Sequence, residues 1–359
     1  MSAAASTASA GATGSTGDLG QMKSLPRWFP YASLIAAIAL GAGLAAVLGG
    51  FIIETAAFAV VIYVVGTTVA SAVVEGRRRA TDRFATTMVS AAFLIAMVPL
   101  VSLVYVVIER GLTRLDASFF TASLFNVVGA GGGAYHAIIG TLLITAATSI
   151  ISIPIGVLSS IYLVEYGTGK LAKAITFLVD VMTGIPSIVA GLFAYAMFLL
   201  ITNKAGYQSG FAGAVALSVL MIPVVVRSTQ DVLQLVPREL REASYALGVS
   251  KWRTIVRIVL PTAIGGIVTG VTLAIARVTG ETAPLLLTAG YTTVTNTNLF
   301  NGAMTNLPEF IYFQFTTPGV PPQAGINRAW SAALILIGIV MLLNLLARLF
   351  ARIFRPKTH

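Results

Sequence analysis

Eight apolar runs divide this chain, at about residues 30–48, 51–74, 84–108, 136–163, 174–201, 211–227, 257–289 and 329–350. Crossing about 30 Å of hydrocarbon takes roughly 17–25 apolar residues at the rise of an α-helix. Lipid offers backbone groups no hydrogen-bond partner, so each run must satisfy its own N–H and C=O groups internally, as a helix does. The expected fold is therefore all-α, a polytopic transmembrane helical bundle of about eight spans. Composition agrees: 57% of the residues are hydrophobic and 10% are charged, where a soluble domain carries roughly a quarter charged residues. Gly49-Gly50 alone separates the first two runs, which predicts a tight hairpin. The seventh run is too long for one straight helix, and Gly280 and Pro284 mark where it should break.

Basic residues set the orientation. Arg77, Arg78, Arg79 and Arg83 fall between runs two and three, and Lys170 and Lys173 between four and five. Arg227, Arg238, Arg241, Lys251, Arg253 and Arg257 fall between six and seven, and Arg348, Arg352, Arg355 and Lys357 close the chain. Eight spans with both termini in the cytoplasm put all four clusters on the inner side, as the positive-inside rule requires. The net charge of +10 is thus a topological signal. No basic face interleaved with aromatics points to nucleic acid.

The N-terminal residues 1–27, rich in Ser, Ala, Gly and Thr, read as a disordered cytoplasmic tail. They lack a signal peptide's basic start and cleavage site. Residues 28–76 then form an N-terminal transmembrane hairpin, and residues 84–355 a six-span core. The chain has no cysteine, so disulfides and thiolate sites are excluded, and its two histidines, His136 and His359, lie too far apart to suggest a metal site. His136 is expected to be an interfacial residue. The glycine-rich stretch Gly129–Gly133 matches no phosphate-binding fingerprint, so 109–135 reads as a flexible connector. Residues 290–328, with Pro308, Pro318, Pro321 and Pro322, form a long external loop suited to docking an outside partner.

Between runs six and seven, Pro237 is placed to open a helix and Gly248 to end it, since glycine accepts the left-handed conformation of a helix stop. The result is a short helix, a turn, and a second helix leading into the membrane; such a short helix can lie in a partner's groove. Glu242-Ala243-Ser244, three residues, Gly248, nine residues, then Ile258-Val259-Leu260-Pro261 resembles the EAA motif of ABC-importer permeases, with Ser244 in place of the second alanine. No Walker A sequence occurs in the chain, so ATP hydrolysis is expected of a separate subunit and this chain is expected to be non-catalytic.

Ionisable residues inside spans are expensive and so draw attention. Asp180 lies in run five and reads as structural; Arg227 closes run six; Arg277 and Glu281 lie in run seven, four apart and so on one helix face. A guanidinium binds tetrahedral oxyanions through paired N–H groups, which makes Arg277 and Arg227 candidates for an anion path beside a Glu281 partner. Pro284 would free the carbonyl of Gly280, an irregularity tolerated at membrane depth where protein or a water-filled cavity receives it.

Gly280-Glu281-Thr282-Ala283-Pro284-Leu285 resembles the signature of PstA-type permeases of phosphate importers. Gly184-Ile185-Pro186-Ser187-Ile188-Val189-Ala190-Gly191 is similar to their core segment, and Met304–Pro308 and Asn327–Trp330 to their external loop and last-span entry. The resemblance covers roughly 84–355. It implies a homologous second permease subunit, two ATP-binding subunits, an external phosphate-binding protein, and residence in a prokaryotic inner membrane. It assigns the substrate path to Arg277, Glu281 and Arg227, the ATPase contact to Glu242, Ala243, Ser244 and Gly248, and the core motif to Gly184, Pro186, Ser187, Gly191 and Pro284. No cofactor or metal is implied. A permease for another oxyanion, a stand-alone ion-driven transporter and a membrane scaffold remain as rivals.

Overall fold

The computed structural model describes residues 25–26, 28–48 and 52–353. Most of the tail expected at 1–27, the Gly49-Gly50 turn, Arg355, Lys357 and His359 lie outside them. The chain divides into two compact units, residues 1–103 and 104–359.

In the first unit, α1 (Phe29–Leu48) packs along α2 (Ile52–Val74). Small residues make the contact: Ala37, Ala45 and Ala59 are buried, and a Cβ on Gly41 would come within 2.7 Å of the Ala59 nitrogen. Close backbone approach is how helices associate in lipid, where apolar burial gives no advantage. The end of α2 is tied by Glu75, which accepts from the Leu25 N–H (2.7 Å), the Ser71 hydroxyl (2.8 Å) and the Arg83 guanidinium (2.7 Å). Helix α3 (Arg77–Gly111) starts at once, seven residues before the apolar run, so Arg77–Arg79 form its first turn. The reversal needs only Gly76, whose φ of +91° suits glycine.

The second unit is built on α5 (Tyr135–Ile161) and α8 (Gly210–Gln234), following the short α4 (Ala117–Thr121). Thr148 and Ser160 of α5 donate to carbonyls of α8, at Ala214 (3.3 Å) and Val226 (2.8 Å), and Gly156 lets Val225 approach. A π-helical turn, Tyr162–Tyr166, extends α5. Next come α6 (Lys170–Thr183), α7 (Ser187–Thr202), α9 (Arg238–Ala246), α10 (Lys251–Thr254), a second π-helical turn (Ile255–Val259) and α11 (Leu260–Thr279). The chain closes with α12 (Ala283–Thr288), α13 (Leu307–Thr316) and α14 (Pro322–Ile353).

Among the described residues, seven helices are long and apolar enough to cross a membrane, and a bent pair makes an eighth. The protein is a multi-pass membrane protein. The seventh run breaks where expected, between Thr279 and Ala283. The fifth run differs: α6 and α7 meet at 111° instead of forming one helix over 174–201. Pro186 itself is extended, with φ −60° and ψ 140°, and its ring has no N–H to continue the ladder.

The segments 109–135 and 290–328 are both more ordered than their composition suggested. Residues 290–328 contain all of α13, whose first turn is capped by the Asn306 side chain accepting from the Glu309 N–H at 3.0 Å, and α14 already begins at Pro322. The glycine run is a pinned structure, not a flexible connector. Arg328 donates to the carbonyls of Gly129 (2.7 Å) and Gly131 (3.1 Å), and Arg114 to that of Gly132 (3.0 Å). At Gly133 a Cβ would stand 2.5 Å from the Phe119 carbonyl oxygen. His136 is not interfacial either: it is 2% exposed and lies edge-on to Phe310 at 5.5 Å.

Candidate functional site

The loop between α8 and α11 folds as its residues dictate. Pro237 precedes α9 in extended geometry, and the helix stops at Gly248, whose φ is +76°. The stop is hydrogen-bonded: the Gly248 N–H donates to Tyr245 O (2.9 Å) and the Val249 N–H to Ser244 O (3.2 Å). Such paired bonds satisfy the carbonyls a helix end leaves open.

Two interactions fix α9 to the body of the unit. Ser244 is buried and shares a 2.8 Å hydrogen bond with the Thr254 hydroxyl, joining α9 to α10. Arg241 reaches the other way: Nε and Nη2 donate to Glu165 Oε1 at 3.0 and 2.9 Å. Its Nη1 donates to Val236 O (2.7 Å), and Nη2 also to Leu233 O (3.0 Å). The Arg241 and Glu165 side chains are 15% and 5% exposed, so the pair is shielded. Nearby, the Lys251 ammonium lies 4.6 Å from the centre of the Tyr166 ring, within cation–π range. In the sequence Arg241 reads only as one of a cluster of basic residues, and Glu165 carries no signal. They stand 76 residues apart, and no local pattern links them.

The opposite side of α9 is open. Glu242 and Ala243 are exposed, and so are Leu240, Tyr245, Leu247 and Trp252. An apolar set of this size beside a carboxylate is a surface that another protein can cover.

The charged residues of the spans are arranged differently from expectation. Arg277 and Glu281 do not share a helix face, because α11 ends at Thr279 and Glu281 sits in the gap before α12. Four-residue spacing aligns two side chains only while the helix continues. Among the described residues, the ion pair formed within the spans is instead Arg227 with Asp180, linking α8 to α6. Gln230 Oε1 also accepts from Arg227 Nη1 at 3.4 Å.

Both arginines lie on exposed faces. On α8, Arg227, Asp231 and Gln234 recur at helical spacing, and on α11 Thr262, Thr269, Leu273 and Arg277 do the same. A guanidinium on the surface of a membrane helix belongs against another protein surface or a water-filled cavity, since hydrocarbon excludes it.

The two proline-bearing motifs come together. Gly184 ends α6, Pro186 leads into α7 at Ser187, and one turn later Gly191 faces α12. A Cβ on Gly191 would stand 2.6 Å from the Pro284 Cα, so only glycine fits there. The elbow of the fifth span thereby packs on the break of the seventh.

Comparison with known proteins agrees with this architecture. Residues 152–359 match the model of the family described as binding-protein-dependent transport system inner membrane component. The phosphate transport system permease protein PstA 1 of Mycobacterium tuberculosis H37Rv is 48% identical over 274 residues, 76% of this chain and 87% of that protein. The PstA protein of Mycobacterium leprae is 48% identical over 279 residues, covering 76% and 90% of the two chains. That of Yersinia pestis is 38% identical over 283 residues, covering 79% and 92%. The chain belongs to the binding-protein-dependent transport inner-membrane family and, within it, to the PstA-type permeases.

Proposed function

We propose that the chain is the membrane permease subunit of an ATP-driven inorganic phosphate importer. It forms half of the translocation pathway and couples to ATP-binding subunits through α9. A homologous second permease subunit, two ATP-binding subunits and an external phosphate-binding protein complete the assembly. It sits in a prokaryotic inner membrane with both termini in the cytoplasm, where the four basic clusters favour them.

One observation carries the coupling role: through Arg241, α9 is clamped to the turn that follows α5 and to the last turn of α8, while its Glu242–Ala243 side is left open. A helix held this way transmits displacement instead of folding away from it. When the ATP-binding subunits close, a pull on α9 moves α5 and α8 as a body. This chain hydrolyses nothing itself. The exposed Arg227 and Arg277 faces then meet those of the second permease subunit, across a water-filled path. Phosphate is recognised there by guanidinium N–H groups, with few contacts at a time so that release stays fast. Glu281, in the backbone gap next to Arg277, contributes negative charge that limits how long an anion stays. The Gly191–Pro284 contact holds that gap open.

The test is radiolabelled phosphate uptake in cells lacking the native permease, with and without the chain, alongside purification of the detergent-solubilised chain from a native source. Restored uptake and co-purifying ATP-binding subunits are expected. Absence of any ATPase in the purified complex refutes the coupling role. Uptake competed equally by sulfate refutes the substrate.

A further inference from the structure

Asp180 sits where a purely structural carboxylate has little to do. The Asp180 and Arg227 side chains are 55% and 44% exposed, and an ion pair this open to its surroundings contributes little to folding. It lies instead beside a groove of about 430 Å³ between α6, α8 and the turn after α5. Lys173, Thr176, Asp180 and Gln230 line it together with Gly167 and Gly169. Lys173 is two helical turns from Asp180, about 10 Å along α6, toward the end that carries Lys170. Asp231, one turn beyond Arg227 on α8, is a second exposed carboxylate on that face.

A carboxylate and a phosphate oxyanion are the same kind of ligand to a guanidinium: each takes its paired N–H donors, and both cannot take the full fork at once. We propose that Asp180 is a positioning residue that competes with phosphate for Arg227. In this role the groove running to Lys173 is the exit site for the anion. With phosphate absent, Asp180 holds the guanidinium at the groove's edge and neutralised. With phosphate present, the anion displaces the carboxylate, and return of Asp180 to Arg227 drives the anion toward Lys173. Gln230 keeps one guanidinium N–H engaged throughout. The inference rests on the reading that phosphate passes Arg227.

The experiment uses the complete transporter in proteoliposomes with its binding protein and ATP. It measures both the maximal phosphate uptake rate and the concentration of phosphate on the ATPase side that halves uptake. Asp180→Asn removes the competitor while leaving a neutral amide of the same shape. Maximal uptake is expected to fall about tenfold and the half-inhibiting concentration to fall by a similar factor, the weight of one charge-assisted hydrogen bond. Asp180→Glu restores both. An Asp180→Asn transporter with unchanged uptake and unchanged inhibition overturns the inference. So does an Asp180→Asn chain that fails to assemble and is rescued by adding Arg227→Gln, because that marks a structural ion pair. Vesicles with the unaltered chain that take up no phosphate overturn the functional reading and this inference with it.

Discussion

Removing the Arg241 side chain isolates what holds the coupling helix. Arg241→Ala deletes two bonds to Glu165 and two to the carbonyls of Val236 and Leu233. It also leaves the Glu165 carboxylate, 5% exposed, without its cation. Breaking one side of a shielded ion pair costs about 3–5 kcal/mol, most of it the unpaired charge left behind. The loss is local, because Ser244 and Thr254 still join α9 to α10. Taking about 3 kcal/mol as the loss, α9 should open roughly a hundredfold more often, which amide hydrogen exchange over 238–246 reads directly. With α9 detached, ATP hydrolysis by the complex should continue while phosphate uptake per ATP collapses. Glu165→Gln leaves the guanidinium without its anion but keeps a neutral acceptor and both carbonyl bonds, so it should do less. Unchanged exchange over α9 in Arg241→Ala, or normal uptake per ATP despite faster exchange, would refute the argument that this clamp transmits the motion.

Four further outcomes follow from the structure. Arg277→Ala should abolish phosphate uptake while leaving assembly of the complex intact on size-exclusion chromatography; uptake at the normal rate removes Arg277 from the path. Gly248→Leu forces an L side chain into a φ of +76°, costing about 1–2 kcal/mol in the helix stop, and should uncouple hydrolysis from uptake, read as phosphate transported per ATP. Gly191→Val brings a Cβ within 2.6 Å of the Pro284 Cα. That backbone has little room to yield, so thermal unfolding of the detergent complex should lose about 1–3 kcal/mol; an unchanged melting temperature would show that α7 and α12 do not pack this closely. On α13, in the segment between the last spans, burial pushes the Glu309 carboxyl up from 4.5 to about 8. The folded chain therefore holds a proton there that the unfolded chain loses above 4.5. Stability from this group is complete below pH 4.5, declines as pH rises to about 8, and is level beyond. Glu309→Gln should flatten melting temperature against pH between those limits, and an equal slope in both proteins would contradict it.

Much of this molecule was legible in the residues one after another. Length and apolarity marked the spans, because hydrocarbon thickness sets how many apolar residues a helix needs. The limits of α9 followed from Pro237 and Gly248, whose backbone preferences act within a few residues. The break before Pro284 was visible for the same reason. Pro186 also carried a local signal, and run five bends at it through 111°.

What the tertiary structure alone decided is partnership across distance. Arg277 and Glu281 have the spacing of a pair, but α11 stops between them. Arg227 finds Asp180 at a separation of 47 residues, and Arg241 finds Glu165 at 76. Gly129–Gly133 has the composition of a free loop, yet Arg328, about 200 residues later, fixes it. Gly191 is required by Pro284, and nothing in either motif names the other. Apolar length, proline and glycine act on their own neighbourhood, so sequence determines where helices run and end. A charge or a missing side chain has meaning only against the group that packing brings to it, and that group is chosen by the fold.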